Sequence, residues 1–325
     1  MKVQQVPQGR LQSPFYSRLS ALDTVNHWHE WKGYTVPDEL YCADMEYFAV
    51  RNATSVFDLT PMTKYRISGP DALAYVDRLV TRDMTKIRPG RVAYAVWCDD
   101  QGQVIDDGTI FHLREGEYRL CCQERHYDWF LDSAIGLDVS IVEETAEVAA
   151  LAVQGPTSYS ILSRAGIELS DLKPFGLVHL DFDGAELMVS RTGFTGDLGY
   201  EIFVAPESQR HLWHVLTEAG ADLGLRPFGM RAMMSLRLDK GFGSWLREYS
   251  PDYTPAETGL DRFISWKKPD DFIGRAAAEA ERASGPRRKL CTFVVDALDA
   301  DVVAYEPIWL DGEVVGFCTS GGYSH

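Results

Sequence analysis

Residues Ser190–Glu201 read Ser-Arg-Thr-Gly-Phe-Thr-Gly-Asp-Leu-Gly-Tyr-Glu, with glycines at 193, 196 and 199. Glycines at such intervals suit a tight turn where the main chain must approach a ligand or another backbone. Apolar Leu187-Met188-Val189 leads in, and Ile202-Phe203-Val204 leads out. The stretch therefore predicts strand, glycine-rich turn, strand, with Glu201 emerging at the start of the second strand. The glycine spacing is not GxGxxG and there is no GxxxxGK[ST], which excludes the usual phosphate loops. GxSxG and HExxH are absent too.

Around this segment the chain alternates helical and strand-like runs. Pro7, Pro14 and Pro37 break a polar and aromatic N-terminal stretch, in which Trp28 and Trp31 suggest one face of a short helix. A helix is expected over Glu39–Asn52, then strands at 56–59 and 64–67. Gly69-Pro70-Asp71 opens a helix with Leu73, Val76 and Leu79 at helical spacing. The same grammar returns at Gly155-Pro156, which predicts two related α+β units. Between the copies, strands at 92–98, 104–113 and 118–122 alternate with turn residues and read as an antiparallel meander. Helices follow from Pro206, from Arg231 and over 271–283. Beyond Lys289 only strands are expected, at 290–295, 308–310 and 314–318. A barrel ending at Gly321–His325 would leave an open edge, so further C-terminal sequence is expected.

Charge narrows the partners. The 325 residues carry a net charge of −16, which repels nucleic acid and anionic membrane surfaces. No apolar run is long enough to span a bilayer, and Met1–Gln5 lacks a hydrophobic signal core. The six cysteines form no CxxC pair and read as reduced thiols of a cytoplasmic protein. The His27/His29 and His211/His214 pairs have no third ligand nearby in sequence, so no metal site is expected.

Two further spots could carry chemistry. Asp106 and Asp107 lie mid-strand, where aspartate is disfavoured, and alternation sends them to opposite faces. Either one carboxylate is buried for use, or both sit at a frayed strand start beside the Asp99–Gly102 turn. Glu201 is either a solvated strand residue or an acceptor for paired N–H groups on a heterocycle. Arg231 is either a surface charge or a ligand clamp.

In order along the chain, Val104-Ile105-Asp106-Asp107, Ser190–Glu201, Arg231-Ala232 with Leu236-Arg237-Leu238, Phe272-Ile273-Gly274-Arg275 and Thr319-Ser320-Gly321-Gly322 resemble motifs of the glycine-cleavage T-protein family. These are tetrahydrofolate-dependent aminomethyltransferases. The stretch Leu236–Phe242, with Trp245, Glu248 and Pro255, is similar to the folate-binding half of dimethylglycine and sarcosine dehydrogenases. The resemblance implies an α+β fold of three domains around a central folate channel. Residues 1–50 with 143–245 would form one antiparallel α+β domain. Residues 51–142 with 246–285 would form a second, ferredoxin-like one, and 286–325 an incomplete β barrel. It also implies roles: Asp107 as the catalytic carboxylate, Glu201 on the pterin edge, Arg231 steadying the ligand, and Tyr94 and Phe194 lining the channel. Tetrahydrofolate would be the cofactor and a small methyl or aminomethyl donor the substrate. A lipoyl carrier protein or a separate oxidase subunit would be the protein partner. Phe194 replaces the family's usual tyrosine, and Cys121–Glu124 replaces an asparagine-containing segment. Both departures suggest a changed donor, such as a methylated amine or sulfonium compound. The alternative is a non-catalytic folate-binding accessory protein. That branch carries Lys-Gly-Cys-Tyr, whereas this chain has Lys240-Gly241-Phe242-Gly243.

Overall fold

The computed structural model describes residues 11–323. Met1–Gln5, Pro7 and the last two residues of the C-terminal loop lie outside it. In chain order the elements are α1 (Tyr16–Leu22), β1 (His27–Trp31), β2 (Tyr34–Glu39), α2 (Ala43–Asn52), β3 (Ser55–Asp58), β4 (Thr63–Ser68), α3 (Ala72–Leu79), β5 (Arg91–Cys98), β6 (Val104–Arg114), β7 (Glu117–Cys122), α4 (Tyr127–Ser133) and β8 (Ser140–Glu143). Then come β9 (Ala149–Gln154), α5 (Ser158–Arg164), β10 (Leu177–Phe182), β11 (Ala185–Ser190), β12 (Gly199–Val204), α6 (Gln209–Gly220), β13 (Arg226–Pro227), α7 (Met230–Asp239), α8 (Arg275–Ser284), β14 (Pro307–Leu310) and β15 (Glu313–Phe317).

Two sheets organise the molecule. The first has six strands in the order β10-β11-β12-β9-β3-β13 and the second five in the order β5-β6-β7-β4-β8. Every pairing is antiparallel except β13 on β3. Alternation along each strand separates the cores. Leu151, Val153, Ile202 and Val204 pack towards Ile161, Leu162, Leu212 and Leu216 of α5 and α6. Ala93, Trp97, Ile110 and Leu120 pack towards α3 and α4. The remaining faces share a third core, in which Phe57, Ala152 and Phe203 of the first sheet join Val92, Phe111 and Cys121 of the second, closed by Leu236 of α7. Burying each such apolar side chain contributes ~1.5–3 kcal/mol. The inter-sheet space is therefore fixed from both walls.

The twin Gly-Pro signals adopt one conformation. Gly69 and Gly155 have φ of +135° and +132°. Each follows a strand and precedes a helix, which starts two residues beyond the proline rather than at it. A Cβ on Gly155 would lie 2.3 Å from the carbonyl oxygen of Ala53, and one on Gly69 would lie 2.6 Å from that of Asp138.

Several expectations are corrected. Trp28 and Trp31 lie on strand β1, because the Lys32-Gly33 turn (φ 52° and 85°) folds the segment into a hairpin with β2. The helix expected from Glu39 begins at Ala43, where the Glu39 carboxylate accepts the Ala43 backbone N–H at 2.8 Å. Ser55–Asp58 pairs with β9, so the crossing between sheets lies beyond Asp58 rather than at residue 50. Leu290–Val295 is no strand: no described neighbour forms a ladder with it, and Phe293–Val295 are exposed. Among the described residues beyond 286, the regular structure is the hairpin β14–β15.

Candidate active site

On β5 and β6 the side chains of Val92, Tyr94, Asp107, Thr109 and Phe111 share the face turned to the inter-sheet core, while Asp106, Gly108 and Ile110 face the other way. The paired aspartates thus point to opposite sides, as alternation requires. Close approach of β7 demands glycine at 108, where a Cβ would sit 2.2 Å from the Cys121 carbonyl oxygen. Tyr94 donates its hydroxyl to Asp107 Oδ2 at 2.7 Å. Burial, and then the charge of Asp106, lift the Asp107 carboxyl to about 7. Burial and the neighbouring Asp107 push the Tyr94 hydroxyl well above its ordinary value, so it stays a proton donor. Phe263 meets Tyr94 edge-on at 4.7 Å. Tyr249, lifted to about 12 by burial and by Asp107, completes an aromatic wall.

Asp106 is fully buried and hydrogen-bonded. Its Oδ1 accepts the Asp107 backbone N–H at 2.8 Å, and its Oδ2 accepts the Glu124 backbone N–H at 3.1 Å. His126 Nε2 lies 3.0 Å from the same Oδ2.

The glycine-rich stretch forms the opposite wall. Its glycines do not leave an open channel; they clear side chains. A Cβ on Gly193 or Gly199 would meet Gln154 at 2.1 or 2.3 Å, and one on Gly196 would meet Lys240 at 2.1 Å. Gln154 is fully buried. It donates to Thr192 O at 3.2 Å and accepts from Thr195 Oγ1 at 2.8 Å, fastening both ends of the turn. Arg51 binds the other side, reaching Thr195 O at 2.7 Å, the Asp197 carboxylate, Leu236 O at 3.1 Å and Asp239 at 3.0 Å. Glu201 shares the face of Phe203, towards the second sheet. Thr192 Oγ1 donates to Glu201 Oε2 at 2.6 Å, and burial raises the Glu201 carboxyl. Its charge reaches the Cys121 thiol on β7, which burial lifts to about 12. Asp107, Tyr94 and Cys121 thus share one face of the second sheet, and Glu201 lies on the face of the first sheet turned towards it.

Phe194 joins this core and stacks on Phe242 at 5.9 Å. Arg231 does not join it. Its side chain is 54% exposed and pairs with Asp38 at 3.0 Å and Glu39 at 3.5 Å on β2. Sequence reasoning missed Tyr249, Phe263 and His126, which reach the site through tertiary packing. Thr192, inside the motif and nine residues from Glu201, was legible as a local donor. A separate surface cleft of about 750 Å³, lined by Arg78, Asp271, Phe272 and Arg275 among others, holds none of these groups.

Comparison with known proteins gives the family. Residues 19–268 match the GCVT N-terminal domain, and residues 288–325 the glycine cleavage T-protein C-terminal barrel domain. An aminomethyltransferase of Halothermothrix orenii is 33% identical over 300 residues, covering 91% of this chain and 83% of that protein. One from Symbiobacterium thermophilum is 36% identical over 304 residues, covering 90% and 80%. The crystal structure of glycine cleavage system aminomethyltransferase T from Bartonella henselae superposes with a TM-score of 0.84 at 21% identity, covering 96% of this chain and 86% of that one. Fold and relatives together define an enzyme of the aminomethyltransferase class. The chain belongs to the glycine cleavage T-protein family.

Proposed function

We propose that the inter-sheet space binds tetrahydrofolate and that Asp107 is the carboxylate of one-carbon transfer. The observation that carries this reading is Asp107 itself: a buried carboxylate held at 2.7 Å by the Tyr94 hydroxyl, lifted to about 7, on the face of the second sheet that also carries Cys121. The residues fit the ligand. Glu201 spends one oxygen on Thr192, and no other hydrogen bond to it is found among the described residues. It can therefore accept paired N–H groups such as an aminopyrimidine edge presents. The Phe194–Phe242 stack and the Tyr94–Phe263 pair offer flat apolar surface to such a ligand.

When bound, tetrahydrofolate supplies the amine nitrogen that accepts the carbon. Asp107 stabilises positive charge developing near that nitrogen and takes up its proton. Tyr94 holds the carboxylate in place while it does so. The buried walls exclude water, and holding the two reactants together supplies much of the acceleration. Arg231 retains a ligand-steadying role only if its pairs with Asp38 and Glu39 open. We assign Asp107 as catalytic, and Tyr94, Phe194 and Glu201 as ligand-binding.

The donor is a small methylated or aminomethyl compound, delivered free, on a lipoyl carrier, or by a separate oxidase subunit. The exchange of tyrosine for phenylalanine at 194 and the apolar Cys121-Cys122 pair favour a donor other than an aminomethyl group on a lipoyl carrier. All six cysteines are free, and among the described residues no helix is long and apolar enough to cross a membrane. Both features suit a cytoplasmic enzyme. The test is incubation with tetrahydrofolate and, in turn, dimethylglycine, sarcosine, glycine betaine, dimethylsulfoniopropionate and an aminomethyl-lipoyl protein, with mass detection of the folate. A one-carbon folate with at least one donor is expected. No modified folate with any of them would contradict the reading. Glu201→Gln removes the charge but keeps the size. It is expected to weaken tetrahydrofolate binding by about 10- to 100-fold, as loss of a charged hydrogen-bond acceptor does, with a smaller change in kcat. An unaltered KM would remove Glu201 from the site.

A further inference from the structure

We propose that His126 is a positioning residue for Asp107: it fixes Asp106 as a buried anion behind the sheet, and Asp106 in turn governs the placement and basicity of the transfer carboxylate. The inference rests on the reading of Asp107 given above.

The geometry is a relay across one strand. Asp107 and Asp106 point to opposite faces of β6, so they do not share a hydrogen bond between side chains. The link is the Asp107 backbone N–H, which donates to Asp106 Oδ1 at 2.8 Å. This bond sets the peptide from which the Asp107 side chain projects. Asp106 Oδ2 is gripped by the Glu124 N–H at 3.1 Å and by His126 Nε2 at 3.0 Å. Among the described residues no lysine or arginine pairs with Asp106, and the His126 imidazole is the basic side chain that reaches its carboxylate.

The imidazole is itself clamped. Its ring meets Trp97 at 6.3 Å, Phe130 at 6.1 Å and Trp245 at 5.8 Å, all near edge-on. Trp245 belongs to the loop that carries Tyr249 to Asp107, so one histidine touches both the core behind the sheet and the wall before it. The connection that bears His126 is anchored by the β1–β2 hairpin, where Lys32 in the turn pairs with Glu124 at 2.5 Å.

The electrostatics follow from this arrangement. A wholly buried carboxylate favours its neutral form unless it is paired. Burial raises Asp106 and the net direction stays upward; the hydrogen bond and charge of His126, followed by the two backbone N–H groups, limit that rise. Negative charge on Asp106 is what, after burial, lifts Asp107. The other titratable groups around the relay are Cys122 and Glu124 beside Asp106, Tyr65 on β4 beside the His126 backbone, and Tyr94 and Tyr249 beside Asp107. Lys32 acts on Glu124, Arg125 on Tyr65 and Arg262 on Tyr249, and among the described residues none of these cations pairs with Asp106. Without His126, Asp106 takes up a proton, its repulsion of Asp107 falls, and Asp107 becomes a weaker base.

The test is the pH profile of kcat/KM for tetrahydrofolate-dependent turnover in the full chain, for the wild type and for His126→Leu, His126→Gln, Asp106→Asn and Asp107→Asn. His126→Leu and Asp106→Asn are expected to move the acid limb down by about one pH unit. His126→Gln keeps an N–H donor and should fall between them and the wild type. Tetrahydrofolate affinity should hold in all three, which a merely structural role for His126 would not predict together with a moved limb. If His126→Leu does not fold, the Gln variant and the isosteric Asn variant decide the matter. Coincident limbs in folded His126 variants overturn the proposal, whether or not Asp106→Asn moves. If Asp107→Asn turns over like the wild type, it is the site assignment that fails instead.

Discussion

Asp107→Asn is expected to reduce tetrahydrofolate-dependent turnover by about a thousandfold while leaving the fold intact. Asparagine preserves size and can still accept the Tyr94 hydroxyl, so the loss isolates the charge and the proton-accepting function. Stability should move the other way. Because the folded-state carboxyl sits at about 7, above the ordinary value of an unfolded chain, the folded state binds the proton more tightly. Wild-type stability is therefore highest below about pH 4 as far as this group is concerned, and declines as pH rises towards 7. The asparagine variant lacks that decline. Denaturation midpoints at pH 5 and pH 8 should converge for the variant relative to the wild type. Turnover within tenfold of the wild type would remove Asp107 from the chemistry. A collapsed midpoint at both pH values would instead show that the carboxylate is a structural group.

Gly155→Ala carries the largest expected effect on folding. At φ +132° a side chain is strained, and the added Cβ would lie 2.3 Å from Ala53 O and 2.7 Å from Val50 O. Neither obstacle can rotate away, because both are backbone atoms at the end of α2. A loss of about 3 kcal/mol or more is expected, read as a lower urea midpoint at unchanged m. Gly69→Ala should cost less, since its nearest obstacle is 2.6 Å away. Equal stability of wild type and Gly155→Ala would mean that the strand–Gly-Pro–helix junction is not as tight as the structure shows.

These junctions also show how far the sequence could be read. The twin Gly-Pro phrases were visible as local grammar, and both became strand-to-helix turns of nearly equal φ. The aspartate pair was legible because aspartate in a strand needs a reason, and alternation alone separated its two members. The purpose of Gly193, Gly196 and Gly199 was not legible. It is set by Gln154 and Lys240, each some forty residues away, and nothing in the local pattern announces a long side chain crossing a turn. The same limit applies to Tyr249, Phe263 and His126, which are brought to the aspartates by packing rather than by spacing. Arg231 shows the opposite limit. A motif placed it in the site, whereas Asp38 and Glu39 on the neighbouring hairpin hold it at the surface. Leu290–Val295 reads as a strand by its residues, but strand structure requires a paired neighbour, which apolar sequence cannot guarantee.

Tetrahydrofolate is proposed to bind between the two sheets, with its pterin edge on Glu201 and its reacting end at Asp107. Calorimetric titration of tetrahydrofolate into the wild type, Glu201→Gln and Asp107→Asn tests it most directly. Saturable binding to the wild type is predicted, markedly weakened by Glu201→Gln and little changed by Asp107→Asn. No saturable binding to the folded wild type, or equal affinity in the Glu201 variant, would contradict it.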